Sequence, residues 1–231
     1  MRLQVKNLTL KYPETNNHVF RDLTFELKTP GFNAIFGPSG VGKTSLARIL
    51  TGDLTGFSGQ MTHQGMMTFL YSYNLERLPG WSSVGKHLIK VTPTNRHDRR
   101  EALVNVFGIE DCLQQRFSQL SLGQRNRVNL LRYLLQEFDL LIMDESLANV
   151  DEITRETILL KVKAMFPKTH FLYISHNVVE VAKFCNDIVV LRGVGRRPQS
   201  TIVAGQDARL GQEIDPHKMD RTMLEIVNAS S

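Results

Sequence analysis

Residues 37 to 44 read Gly37-Pro38-Ser39-Gly40-Val41-Gly42-Lys43-Thr44. Glycines at this spacing free successive backbone N–H groups to converge on one anion, and a helix starting behind them presents its positive end to the same point. Lys43 adds a mobile point charge for phosphate oxygens. The Thr44 hydroxyl, followed by Ser45, is a hard oxygen suited to magnesium. The pattern implies a loop for the β- and γ-phosphates of a nucleotide. It leaves the output open, because phosphate loops serve many.

Hydrolysis needs a metal ligand and a base, and both residue types stand together further along. Phe138-Asp139-Leu140-Leu141-Ile142-Met143-Asp144-Glu145 is an apolar run ending in two carboxylates, at the strand end where α/β sheets place ligand chemistry. Asp144 is the candidate magnesium ligand, and Glu145 the candidate acceptor of a proton from attacking water. The plain alternative is that both acids cap the next element. His176 follows the next apolar run, His170-Phe171-Leu172-Tyr173-Ile174. It is placed to contact the γ-phosphate or to orient that water.

These residues need a sheet to hold them. Asn33 to Phe36 is short and apolar, the glycine-rich bend follows, and Thr44 to Leu50 suits a helix. Leu140 to Met143, His170 to Ile174 and Asp187 to Leu191 read as buried parallel strands. Helical stretches from Ile153 to Met165 and Val178 to Phe184 separate them, so the frame is α/β with a mainly parallel sheet. The alternating Leu3 to Leu10, a turn at Pro13 to Asn17 and a run from Val19 to Leu27 predict an antiparallel pair before it. Leu75 to Leu135 is helix-rich and arginine-rich, with helices expected over Asp98 to Phe107 and Arg127 to Leu135. One more helix is expected at Lys218 to Val227.

Composition narrows the class without choosing the function. At 231 residues, 42% apolar and 22% charged, the chain fits one ordered α/β domain. Its two cysteines, Cys112 and Cys185, lack metal-ligand spacing and read as buried thiols compatible with a reducing cytoplasm. No run approaches the roughly 20 apolar residues of a bilayer span, and no export signal is visible at the N-terminus. The net charge of +5 is dispersed, and the basic stretches Arg96 to Arg100 and Arg192 to Arg197 lack the interleaved aromatics of a base-stacking groove. Nucleic acid is therefore not an expected partner.

Taken in order, these motifs resemble the nucleotide-binding subunit of an ATP-binding cassette (ABC) transporter, over Leu3 to about Leu191. The resemblance implies a P-loop ATPase with ATP and Mg2+ as cofactors, in which two such domains pack head to tail as a homodimer. Each ATP would lie between the phosphate loop of one and the signature loop of the other. Leu120-Ser121-Leu122-Gly123-Gln124 resembles that signature, with Ser121, Gly123 and Gln124 contacting nucleotide across the interface. Tyr12 matches the aromatic that stacks on adenine. Ser146-Leu147-Ala148-Asn149-Val150-Asp151 resembles the loop crossing the dimer centre, and Ile174-Ser175-His176 the switch-histidine segment. The implied layout is an antiparallel β region over 1–30, a core over 31–75 and 136–198, a helical subdomain over 76–135 facing a membrane permease, and a short extension over 199–231. The implied location is the cytoplasmic face of the membrane, with a solute-binding protein reached through the permease, and the general character is that of bacterial small-molecule importers.

Two positions depart from the family pattern. Leu122 replaces a glycine, with a backbone cost if that site needs positive φ. No glutamine occurs between Gln64 and Gln114, where the family carries a magnesium-reaching glutamine, and Ser72 or Tyr73 falls at its position. These departures keep open a weakly hydrolytic ATP-dependent assembly module, while a soluble ABC-type ATPase outside transport is a further alternative. Glu145 and His176 argue for turnover; the absence of coiled-coil or zinc-bearing insertions and of a second cassette argues for transport.

Overall fold

The computed structural model describes residues 2–12, 17–74 and 76–231, so all but the last residue of the turn expected at Pro13 to Asn17 lies outside the described residues, as does Leu75. Chain order begins β1 (Arg2–Lys11), β2 (His18–Leu27), β3 (Gly31–Phe36), α1 (Lys43–Leu50), β4 (Ser58–Gln64) and β5 (Phe69–Tyr73). It continues α2 (Val84–Val91), α3 (His97–Phe107), α4 (Leu122–Leu134), β6 (Leu140–Asp144), α5 (Glu152–Met165) and β7 (His170–Ile174). α6 (Val178–Phe184), β8 (Asp187–Leu191), β9 (Ser200–Ala204) and α7 (Pro216–Ser230) complete it.

A three-stranded antiparallel sheet has the order β2-β1-β4, and a six-stranded sheet the order β5-β6-β7-β3-β8-β9. All neighbours in the larger sheet run parallel except β9, which returns antiparallel along β8. Two boundaries expected from sequence are corrected. The antiparallel region extends beyond residues 1–30, because its third strand is Ser58–Gln64, and the larger sheet extends past 198 through β9. Both lie at sheet edges: β4 is polar and nearly all exposed, and β9 is five residues long with only Val203 buried, so neither shows an apolar alternation to read.

The core explains why the central strands are continuously apolar. Successive side chains on a strand face opposite ways, and here both faces are covered. Leu140 and Ile142 join Ile35, Leu172, Ile174, α1 and the antiparallel sheet in one cluster. Leu141 and Met143 join Phe32, Phe171, Tyr173 and the helices of the other face. Phe32 and Phe171 stack there with centroids 4.4 Å apart.

This packing aligns the strand ends. Across the sheet, Tyr73 pairs with Asp144, Asp144 with Ile174 and Ile174 with Ile35. One transverse row therefore brings the end of β5, Asp144 at the end of β6 with Glu145 just after it, the histidine after β7 and the glycine-rich bend after β3 to a single edge.

Candidate active site

The bend after β3 is shaped by contacts beneath it. Val41 is buried under the loop, and Gly42 caps α1 with φ of 104°. A Cβ at Gly42 would lie 2.6 Å from Val19 and 2.7 Å from Phe20, so both conformation and space demand glycine. Lys43 folds back over the loop, donating through Nζ to the carbonyls of Gly37 at 2.8 Å and Pro38 at 2.9 Å. Burial lowers its pKa, against the opposing pull of Asp144 and Glu145. Ser39, Gly40, Gly42, Lys43, Thr44 and Ser45 line an open cleft of ≈ 450 Å³, whose opposite wall is Tyr71, Tyr73, Asn74, Asp144 and Glu145.

Thr44 and Asp144 meet in that cleft. Thr44 Oγ1 donates to Asp144 Oδ2 at 2.9 Å, and Tyr71 Oη donates to the same oxygen at 2.8 Å. Burial raises the Asp144 pKa, the two hydrogen bonds lower it, Glu145 raises it and Lys43 lowers it. Burial and the neighbouring Asp144 also hold the Tyr71 phenol protonated by raising its pKa. No cluster of three or more His, Cys, Asp or Glu able to hold a metal exists among the described residues. One carboxylate and one hydroxyl, both hard oxygens, fit a magnesium ion that takes its remaining ligands from phosphates and water.

Glu145 begins the turn after β6 with φ of 49°, its N–H donating to Ile174 O at 3.0 Å. The turn directs its carboxylate to His176, whose Nδ1 lies 2.8 Å from Glu145 Oε1. A buried cluster steadies the histidine loop: Glu180 accepts from Tyr173 Oη at 2.6 Å and Asn177 Nδ2 at 3.0 Å, and pairs with Arg155 at 2.9 Å. Tyr12 lies beside the first turn of α1, its hydroxyl 2.9 Å from Ser45 Oγ.

The signature residues stand apart from this cleft. Ser121 caps α4, its Oγ accepting from Gln124 N at 3.2 Å, while Gln124 Oε1 accepts from Ser121 N at 2.9 Å. The helix expected from Arg127 therefore starts at Leu122. Leu122 is half exposed and absent from the positive-φ residues, so the anticipated backbone cost does not arise. Gly123 is different, because a Cβ there would meet Asn149 O at 2.5 Å. Asp151 caps α5 through Thr154 N at 2.9 Å, and that bond lowers its pKa. None of Ser121, Gly123, Gln124 or Asp151 lines the cleft of the phosphate loop.

The missing loop glutamine also resolves. Ser72 is fully buried and its carbonyl accepts from Ser146 Oγ at 2.9 Å, whereas Tyr73 lines the cleft. Sequence reasoning overlooked Tyr71 and Asn74, although residues 71 and 73 share a face by strand alternation. A polar stripe on α4 holds this segment. Asn126 Nδ2 donates to Asn74 Oδ1 at 3.2 Å and to Ala148 O, and Asn129 Nδ2 to Tyr73 O at 3.3 Å. Arg132 pairs with Glu76, which also accepts from Tyr133 Oη at 2.8 Å.

A phosphate loop and an acidic strand end on one edge of a parallel sheet define a P-loop nucleotide triphosphatase core. The family model described as ABC transporter matches residues 20–148. The taurine import ATP-binding protein TauB of Roseobacter denitrificans is 30% identical over 211 residues, covering 82% of this chain and 77% of that one. The aliphatic sulfonates import ATP-binding protein SsuB 1 of Rhodococcus jostii is 32% identical, covering 80% and 77%. The molybdenum import ATP-binding protein ModC of Saccharophagus degradans is 32% identical over 71% of this chain, which spans about half (51%) of that relative's length. A solved ATP-binding subunit of an ABC transporter superposes with a TM-score of 0.78 at 21% identity, covering 98% of this chain and all (100%) of that one. A bacterial Atm1-family ABC exporter with ATP bound gives 0.75 at 19% identity over 98% of this chain and 41% of that one. At such identities the two structures establish the fold alone. The chain belongs to the ABC transporter family, and it is an ATPase of that family.

Proposed function

We propose that this chain is the ATP-hydrolysing subunit of an importer, coupling turnover to solute passage through a separate integral membrane permease. The names of the TauB, SsuB and ModC relatives support import. No helix among the described residues is long and apolar enough to cross a membrane. Attachment through that permease would hold the chain at the cytoplasmic face, and a solute-binding protein would act on the permease from the other side.

The observation carrying the reading is the separation of the signature from the phosphate-loop cleft of the same chain. The N-terminus of α4 is a capped helix end with Ser121 and Gly123 at the front, suited to an anion. A second copy packed head to tail would bring that end to the phosphates and complete two ATP sites, with Asp151 at the centre.

Each residue then has a task. Tyr12 supports the adenine, and the loop from Gly37 to Ser45 wraps the phosphates. Lys43 exchanges the Gly37 and Pro38 carbonyls for phosphate oxygens. Thr44 and Asp144 hold magnesium, which neutralises charge on the phosphates when bound. Glu145 accepts a proton from the attacking water, and His176 orients Glu145.

The test is turnover and partnership in one preparation. Tagged chain recovered from membranes of its native host should bring down an integral membrane protein and hydrolyse ATP only with divalent metal. Recovery without any membrane protein, with full turnover in the soluble fraction, would contradict the transport reading.

A further inference from the structure

The register between β5 and β6 sets Tyr71 opposite Ile142 and Tyr73 opposite Asp144. Tyr71 thus starts two residues short of the acid, on the face that looks into the cleft. Its phenol spans that offset and ends 2.8 Å from Asp144 Oδ2, while Thr44 reaches the same oxygen at 2.9 Å from α1. Two donors from two elements fix one carboxylate oxygen, and Oδ1 is left without a hydrogen-bond donor among the described residues. A carboxylate held at one oxygen by two donors keeps its plane and presents the other in a defined direction. The Tyr73 ring packs against Tyr71 with centroids 5.3 Å apart, which holds the phenol in place.

We infer that Tyr71 is a positioning residue for the nucleotide-bound metal ion, orienting Asp144 through its hydroxyl. The inference rests on the proposed metal-holding role of Thr44 and Asp144. It places a side chain from β5 in the metal site, although the amide expected on this strand is missing. The ring contributes packing and the hydroxyl contributes orientation, so removing only the oxygen separates the two.

Tyr71→Phe keeps the ring and leaves Asp144 with one donor. The readout is Mg2+ titration of a fluorescent ATP analogue bound to the full chain, alongside binding of the analogue in chelator. The half-saturating Mg2+ concentration should rise roughly three- to tenfold, the worth of one net hydrogen bond, while metal-free affinity is unchanged. Thr44→Ala should also raise the Mg2+ requirement. If Thr44→Ala shifts it and Tyr71→Phe does not, the role of Tyr71 is overturned and the metal site stands. If neither shifts it, the metal-site reading falls and the inference with it. Should Tyr71→Phe fail to fold, 3-fluorotyrosine at position 71 of the otherwise native chain provides the decision. Its fluorine resonance must move when Mg2+ joins the ATP-loaded protein, and an unmoved resonance overturns the inference.

Discussion

His176 holds Nδ1 at 2.8 Å from Oε1 of Glu145, across 31 residues of sequence and between the ends of two adjacent parallel strands. A carboxylate accepts in such a bond, so the imidazole donates and sets the direction in which the second carboxylate oxygen points. That oxygen is the one available to a water molecule. Glu145→Gln retains shape and loses basicity, so it should lower turnover by roughly 10²- to 10⁴-fold while ATP affinity is kept. His176→Ala should also lower turnover with affinity kept, since it frees the orientation of Glu145. Phosphate release measured beside equilibrium nucleotide binding checks both.

Gly123 and Leu122 should respond in opposite ways to substitution. A Cβ at Gly123 would stand 2.5 Å from the Asn149 carbonyl, a backbone atom that cannot step aside alone. Gly123→Ala should displace the loop Ser146 to Asp151 and depress ATPase activity at least tenfold, with ATP binding by the isolated chain unaffected. Leu122 is 50% exposed with ordinary helical geometry, so Leu122→Gly should lower stability by no more than about 1 kcal/mol. Steady-state hydrolysis and urea unfolding of the two variants supply the comparison.

Arg132 and Glu76 form a pair with each side chain only 14% exposed, and Tyr133 adds a second bond to the same carboxylate. Removing one partner strands the other charge in a poorly solvated place. Arg132→Ala should therefore cost about 3–5 kcal/mol in denaturant unfolding. Arg132→Met with Glu76→Gln, which leaves no lone charge, should cost less than Arg132→Ala.

Asp139 accepts from the N–H groups of Met67 at 2.7 Å and Thr68 at 2.9 Å, and these bonds hold its pKa below the ordinary value. A folded-state pKa below the unfolded one stabilises the protein above the unfolded value, about 3.9, and the gain is lost as pH falls through the folded value. Wild type should melt higher than Asp139→Asn at pH 6, and the gap should narrow below about pH 4. A gap independent of pH would contradict this account.

Much of the site was legible because its chemistry is contiguous. The residues from Gly37 to Thr44 carry backbone freedom, charge and hydroxyl in one short segment, and the run ending in Asp144 and Glu145 announces a buried strand with an acidic end. Tyr71 was not legible, since its meaning depends on pairing with a strand 73 residues away. Alternation could have placed it on the face of Tyr73, but not against Asp144. The start of α4 was available in Ser121 and Gln124, whose spacing is that of a capping box, and was hidden by their resemblance to a ligand-binding loop. β4 stayed hidden because its seven residues are nearly all exposed and show no apolar period.

The claim that two copies complete each other's ATP sites is tested most directly by sedimentation velocity on Glu145→Gln. Without its base the variant should hold ATP uncleaved, and ligand that binds the dimer better than the monomer draws the equilibrium toward it. With ATP and Mg2+ the chain should sediment as a dimer; with ADP, or after Gly123→Ala is added, it should return to monomer. A monomer that remains at saturating ATP and Mg2+, with nucleotide demonstrably bound and the membrane partner present, would contradict the composite site.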